Sequence, residues 1–219
     1  MIKVRGAPDL PLRFAVVAGE VIHHLRSTLD HLVVALAARN GQDPLNQHQF
    51  PVCRKQDKFE KAVRGGCTKG ISASALKLIA DAQPYLRPRP DDYFLTTLHE
   101  LDVVDKHRLL LVVAAAARMG QRVDIGVDEA KAAELGITPV DVAIIGLGIP
   151  IRCKISESPT EIFRIMLAEP DPVFHADVDI ICDVAFEKCG SIEMPSIIVA
   201  LESLRKATAR LVDKFANEF

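Results

Sequence analysis

The sequence predicts an α+β protein, a helical bundle that carries an antiparallel β-sheet inserted before its last helix. Two observations predict it. Apolar residues recur at helical spacing over about 14–40, 91–118 and 195–218, whereas residues from about 121 to 190 alternate with a period of two. A chain of 219 residues is long enough to close both patterns into one domain spanning 1–219. The helical part is then 14–118 plus 195–218, and the β insertion is about 121–190.

The first long helix stops at Asn40-Gly41, a pair suited to a C-terminal cap. Residues 42–56 are polar and irregular, with Phe50-Pro51-Val52 as an anchor onto the core. Short helices are expected at about 57–64 and 72–82, the second opened by a Ser72 or Ser74 cap and closed by Gln83-Pro84. Arg87-Pro88-Arg89-Pro90 is a rigid connector, after which Asp91 or Asp92 caps the helix that Gly120 ends. Alternation then marks strands at 122–128, 151–155, 162–167 and 175–180. Between the first two lie a short helix over 129–135 and an apolar run, 142–149, that reads as a buried strand. Pro195 opens the last helix, whose stripe of Ile198, Leu201, Leu204, Leu211 and Phe215 is expected to pack on the two earlier long helices.

Composition limits the function classes. A formal charge of −2 gives no global basic field, so nucleic-acid contact would need a local patch. No apolar run is long enough to span a bilayer and the first residues lack a signal-peptide pattern, from which a cytoplasmic location is expected. Five scattered cysteines without a CxxC spacing argue against a disulfide framework or a thiolate zinc site. Each reads as a small buried hydrophobe.

The most informative stretch is His23-His24-Leu25-Arg26-Ser27-Thr28-Leu29-Asp30-His31 within the first helix. With Ala18, Val21, Leu25, Leu29, Leu32 and Leu36 as the apolar stripe, Arg26, Asp30, His23, Ser27, His31 and His24 fill one polar arc. Arg26 and His31 are about 140° apart on an ideal helix, at the two edges of that arc. One helix cannot close them on a single small group, but two copies packed face to face would place two Arg and two His around one cleft. A solvated polar face is an equally good reading on physics alone.

A second stretch runs from Leu98 to Leu109. If Leu98, Leu101 and Val112 form the core stripe, Asp105 and Arg108 project into it. Buried charges of this kind need partners, in each other or on the first helix. Asp105 or His107 would then orient the Arg26 and His31 face from behind, or the pair would serve as a clamp that sets helix register.

Arg26-Ser27-Thr28-Leu29-Asp30-His31 on a long bundle helix resembles the signature of the HEPN superfamily, an Arg followed four to six residues later by a His. The resemblance covers the motif and the helices at 14–40, 91–118 and 195–218. Ser27 stands where Asn, Asp or His is more usual. The wider pattern, with Asp105-Lys106-His107-Arg108 at a distance, is also similar to bacterial proteins of uncharacterised activity. The resemblance implies a homodimeric, metal-independent endoribonuclease of a toxin or phage-defence kind, needing no cofactor. His31 would move protons and Arg26 from both chains would hold the phosphate charge. Ser27, Asp30, His23, Asp105 and His107 would support them, and Arg54, Lys55 and Lys58 would contact RNA. A regulatory partner protein is a further expectation.

Two other classes remain open. A non-catalytic HEPN-like module would dimerise through the polar face or bind a partner. A metal-dependent helical hydrolase would combine His24 and His31 with His99, Glu100, Asp102 or His107. Against it, His24 and His31 lie about 10 Å apart along the helix axis, and HExxH does not occur.

Overall fold

A computed structural model describes residues 10–107, 110, 133–134, 183–189 and 196–219 with their side chains, and the backbone of 2–4, 112–127, 142–145, 150–154, 160–163, 174–182 and 192–193. The elements in chain order are β1 (Ile2–Val4), α1 (Arg13–Arg39), α2 (Gln56–Arg64), α3 (Ala73–Asp81), α4 (Phe94–His107), β2 (Val112–Val127), β3 (Val142–Ile145), β4 (Pro150–Lys154), β5 (Thr160–Phe163), β6 (Phe174–Phe186), β7 (Lys188–Cys189), β8 (Ile192–Glu193) and α5 (Ile197–Asp213). The chain divides into two compact units, Met1–Leu10 with Val113–Ala185 and Pro11–Val112 with Phe186–Phe219.

The second unit is a helical bundle in which α1, α4 and α5 pack on one another. Ile22, Leu29 and Val33 of α1, Leu95 and Leu98 of α4, and Leu204 and Leu211 of α5 are all buried in its core. Each such side chain stabilises the bundle by about 1.5–3 kcal/mol. α1 ends where the sequence places its stop: the Asn40 N–H donates to the Ala37 carbonyl, and Gly41 takes the left-handed conformation with φ +76°. Phe50 is fully buried, as an anchor should be. Ser72 caps α3, its Oγ accepting from the Ala75 N–H at 3.0 Å. Gln83 closes that region with Nε2 donating to the carbonyls of Pro51 and Ile79.

Three expectations about the helices are corrected. The helix expected over 91–118 is α4, which stops at His107 and is followed by β2 from Val112. The run from Leu109 to Ala117 is apolar throughout, so its periodicity cannot distinguish a buried helix from a strand. The buried face of α1 includes Ala15, Gly19, Ile22, Arg26, Val33 and Ala37, whereas Val21 and Leu25 are only half-buried. Two neighbouring helices pack on α1, so its buried face is broader than one stripe and is turned toward Ile22. On α5 the inward residue is Ile197, and Ile198 is 75% exposed.

In the first unit β2 pairs antiparallel with β3, Arg122 opposite Ile145, and with β4, Ala115 opposite Lys154, while β6 also pairs with β2. β1 pairs antiparallel with β5, with a register shift between Ile2 and Lys3. Most of the helix expected over 129–135, the second half of the run at 142–149, the end of the strand expected at 162–167 and Pro195 lie outside the described residues. Among the described residues no helix is long and apolar enough to cross a membrane.

Candidate functional site

The motif residues part company on α1. Arg26 faces inward and is 3% exposed, contrary to the expectation that it borders a solvent-facing arc. Its Nη2 donates to the Phe50 carbonyl at 2.7 Å, and its Nη1 donates to Asp30 Oδ1 at 2.8 Å. The same Asp30 oxygen accepts the Phe50 N–H at 2.8 Å. One guanidinium and one carboxylate, a helical turn apart, thus satisfy both backbone groups of Phe50 and hold its ring in the core. A guanidinium can be buried here because its charge is paired and hydrogen-bonded. His31 lies on the solvent side and is exposed. In one chain the two motif residues are therefore separated by the body of the helix.

A second polar cluster joins α1 to α4. His23, exposed, donates from Nδ1 to Asp102 Oδ1 at 3.2 Å, and Lys106 donates from Nζ to Asp102 Oδ2 at 2.6 Å. Asp102 itself is 1% exposed. A carboxylate only accepts, so this bond places the His23 proton on Nδ1 and leaves Nε2 as the basic nitrogen. That Nε2 stands 3.4 Å from Ser27 Oγ, a weak contact one turn along α1. His24 tilts against His23 with ring centres 6.1 Å apart. His23, Ser27 and His31 follow one another at intervals of four residues and form a single ridge along α1.

The buried carboxylate of α4 is Asp102, not Asp105. Leu95, Leu98 and Asp102 share the inward face, and Val112, expected on the same helical stripe, belongs to β2. Asp105 is half-buried and close to α1 all the same: a Cβ at Gly19 would stand 2.1 Å from Asp105 Oδ1. His107 is exposed at the end of α4, and Arg108 is outside the described residues. His99 sits one turn before Asp102. Burial pushes its imidazole below the usual histidine range and the Arg26 guanidinium acts in the same direction, with a smaller opposing effect from Asp102. Its Nδ1 is buried and, among the described residues, has no hydrogen-bond partner.

Of the residues expected to contact RNA, Arg54 is tied to Asp91 at 2.8 Å and to Glu100, so its charge is largely spent within the fold. Lys55 and Lys58 are exposed. Among the described residues no three His, Cys, Asp or Glu side chains are grouped to hold a metal ion. Cys53, Cys67 and Cys189 are free thiols, and burial pushes Cys189 up to about 11, which leaves it an unreactive hydrophobe.

Sequence reasoning named Asp102 and His99 only as metal ligands and missed the His23–Asp102 pair. The signal was present in the spacing of Leu95, Leu98 and Asp102, which puts an aspartate on the apolar face of a helix. Comparison with family models, with curated proteins and with solved structures finds no match to this chain.

Proposed function

We propose that this protein is a HEPN-like, metal-independent endoribonuclease that acts as a homodimer through the histidine ridge of α1, within an α+β architecture whose antiparallel sheet precedes the last helix. The observation that carries this reading is the solvent-facing His23 held by the buried Asp102, since a fixed imidazole whose Nε2 makes only a weak contact, with Ser27, suits proton transfer to or from a ribose hydroxyl. His23 Nε2 takes the proton of a 2′-hydroxyl, the 2′-oxygen attacks the adjacent phosphorus, and the 5′-oxygen leaves. The imidazole of the second copy, at His31 or His23, protonates that leaving oxygen. The products are a 2′,3′-cyclic phosphate and a 5′-hydroxyl. Within one chain His23 and His31 are about 12 Å apart along the helix axis, too far to serve one phosphate, which is why the reading needs two copies. Arg26 keeps a structural role here, and Lys106, half exposed and paired with Asp102, is a cation beside the His23–Asp102 pair. A cytoplasmic location belongs to the same reading.

The test is cleavage of a mixed RNA pool in EDTA by the wild-type protein, His23→Ala and His31→Ala, with oligomeric state and folding checked on the same samples. Metal-independent cutting that falls at least a hundredfold in His23→Ala, within the usual worth of a general base, supports the reading. Intact RNA with a folded wild-type dimer sinks it. A second reading, a non-catalytic module that dimerises or binds a partner, is favoured by one observation, the commitment of Arg26 to Phe50 and Asp30.

A further inference from the structure

The hydroxyl of Ser27 is placed differently from other hydroxyls in the helices. Thr28 Oγ1 donates to the His24 carbonyl at 2.8 Å and Ser203 Oγ to the Val199 carbonyl at 2.7 Å, the ordinary back-bond of a hydroxyl inside a helix. Ser27 Oγ stands against a ring nitrogen, 3.4 Å from His23 Nε2. The same imidazole donates from Nδ1 to the buried Asp102 at 3.2 Å. Carboxylate, imidazole and hydroxyl therefore stand in series across α4 and α1. Asp102 keeps the proton on Nδ1, which leaves Nε2 as an acceptor beside the serine hydroxyl. A hydroxyl, a base within reach of it and a third group that orients the base make up an activated nucleophile, recognised by geometry and role and not by order in the chain. A hydroxyl contact of 3.4 Å is long, and such contacts in free enzymes tighten when substrate binds. His23 is exposed and Ser27 half-buried, so a reagent can reach both.

We infer that Ser27 is a nucleophile activated by His23 and positioned through Asp102, and that this site hydrolyses activated esters. Ser27 Oγ gives its proton to His23 Nε2 and bonds to the acyl carbon, the ester C–O bond breaks, and the leaving oxygen takes that proton from His23. A water molecule then gives a proton to His23 and attacks the acyl carbon. The bond to Ser27 breaks, the carboxylic acid departs, and Ser27 Oγ takes its proton back. The surroundings set the substrate class. α1 runs unbroken from Arg13 to Arg39, so the backbone N–H groups around Ser27 are bonded within the helix and form no oxyanion hole. His31, exposed one turn beyond Ser27 on the same ridge, is the side chain placed to donate to the developing oxyanion. With so little help for the oxyanion, the leaving group must be a good one, which selects aryl and other activated esters. The inference shares His23 with the ribonuclease reading but does not rest on it, since it needs one chain and no RNA.

The experiment treats the full chain with p-nitrophenyl acetate and with an alkyl fluorophosphonate, which leaves a stable bond from Ser27 Oγ to phosphorus as fluoride departs. The expected result is an adduct located on Ser27 by peptide mapping and absent from Ser27→Ala, while Thr28→Ala labels as the wild type does. The labelling rate should fall by about a hundredfold or more in His23→Ala, the worth of a general base. Asp102 acts through His23 and is tested by a different readout. Lys106 holds the other oxygen of that carboxylate at 2.6 Å, so in Asp102→Asn the amide oxygen stays with Lys106 and the amide N–H faces His23. The His23 proton should then move from Nδ1 to Nε2 in the nitrogen magnetic resonance spectrum, and labelling should be lost with it. An adduct map of the wild type without Ser27, or nitrophenol release that survives Ser27→Ala, overturns the inference, and the first of these needs no variant to fold. Acylation of Ser27 with RNA left intact would keep this site and sink the ribonuclease. RNA cleavage without acylation of Ser27 would sink this site alone.

Discussion

Without the Arg26 guanidinium, the Phe50 carbonyl would be buried with no donor and the shared Asp30 oxygen would keep only one of its two partners. Arg26→Ala should therefore lower the unfolding free energy by about 3 kcal/mol, the scale for a broken, mostly buried charged hydrogen bond, as read from urea denaturation. His31→Ala, at an exposed position, should change it by less than about 0.5 kcal/mol. A catalytic arginine at the surface predicts the reverse insensitivity, so this pair of measurements tests the structural role directly. His99 yields a pH effect with a definite sign. Its pKa in the folded chain lies below the ordinary value, so the unfolded chain takes up the proton first on acidification. The stability it contributes is complete above about pH 6.5, the unfolded value, and is lost as pH falls toward the lower folded value. Between pH 7.5 and 5 the melting temperature of the wild type should fall more steeply than that of His99→Gln. At this scale the sequence identified the right residues but not their surroundings. Arg26, Asp30, His23 and Asp105 were all singled out, yet spacing alone could not tell that Phe50, distant in sequence, would claim Arg26.

Among the elements, α1 and α3 were legible because local rules define their ends. Asn40-Gly41 stops α1 through backbone geometry that few residues tolerate, and Ser72 starts α3 through a side-chain bond three residues long. Ser72→Ala should cost about 1 kcal/mol by thermal or chemical denaturation, the ordinary worth of an N-cap, and Ser74→Ala distinctly less. Both serines donate to Glu218 Oε2 at 2.8 Å, so the difference between them isolates the cap from that shared tether. The end of α4 was not legible. The apolar run after His107 satisfies helix and strand patterns alike, and the outcome is the strand β2. Leu98 and Leu101 are buried as expected, but the stripe was carried on through Asp105 toward Val112, and so it missed Asp102, the buried carboxylate that holds His23.

On the scale of the whole molecule, the proposed chemistry ties activity to assembly. Cleavage per protomer should rise with protein concentration in step with the dimer fraction measured by sedimentation, because one chain presents its histidines on a ridge too long for one phosphate. Activity that is independent of concentration in a monomer would exclude the two-copy cleft. The sequence by itself determined the helical bundle, the positions of α1 and α5 and the polar ridge of α1, since these follow from periodicity and capping, which are local. Only the tertiary structure decided that Arg26 is turned inward to hold Phe50 and that Asp102 is buried against His23. The reason is physical. A helix face is polar or apolar by composition, but which polar side chain is desolvated depends on the neighbour that covers it, and in this chain those neighbours lie 24 residues from Arg26 and 79 residues from His23.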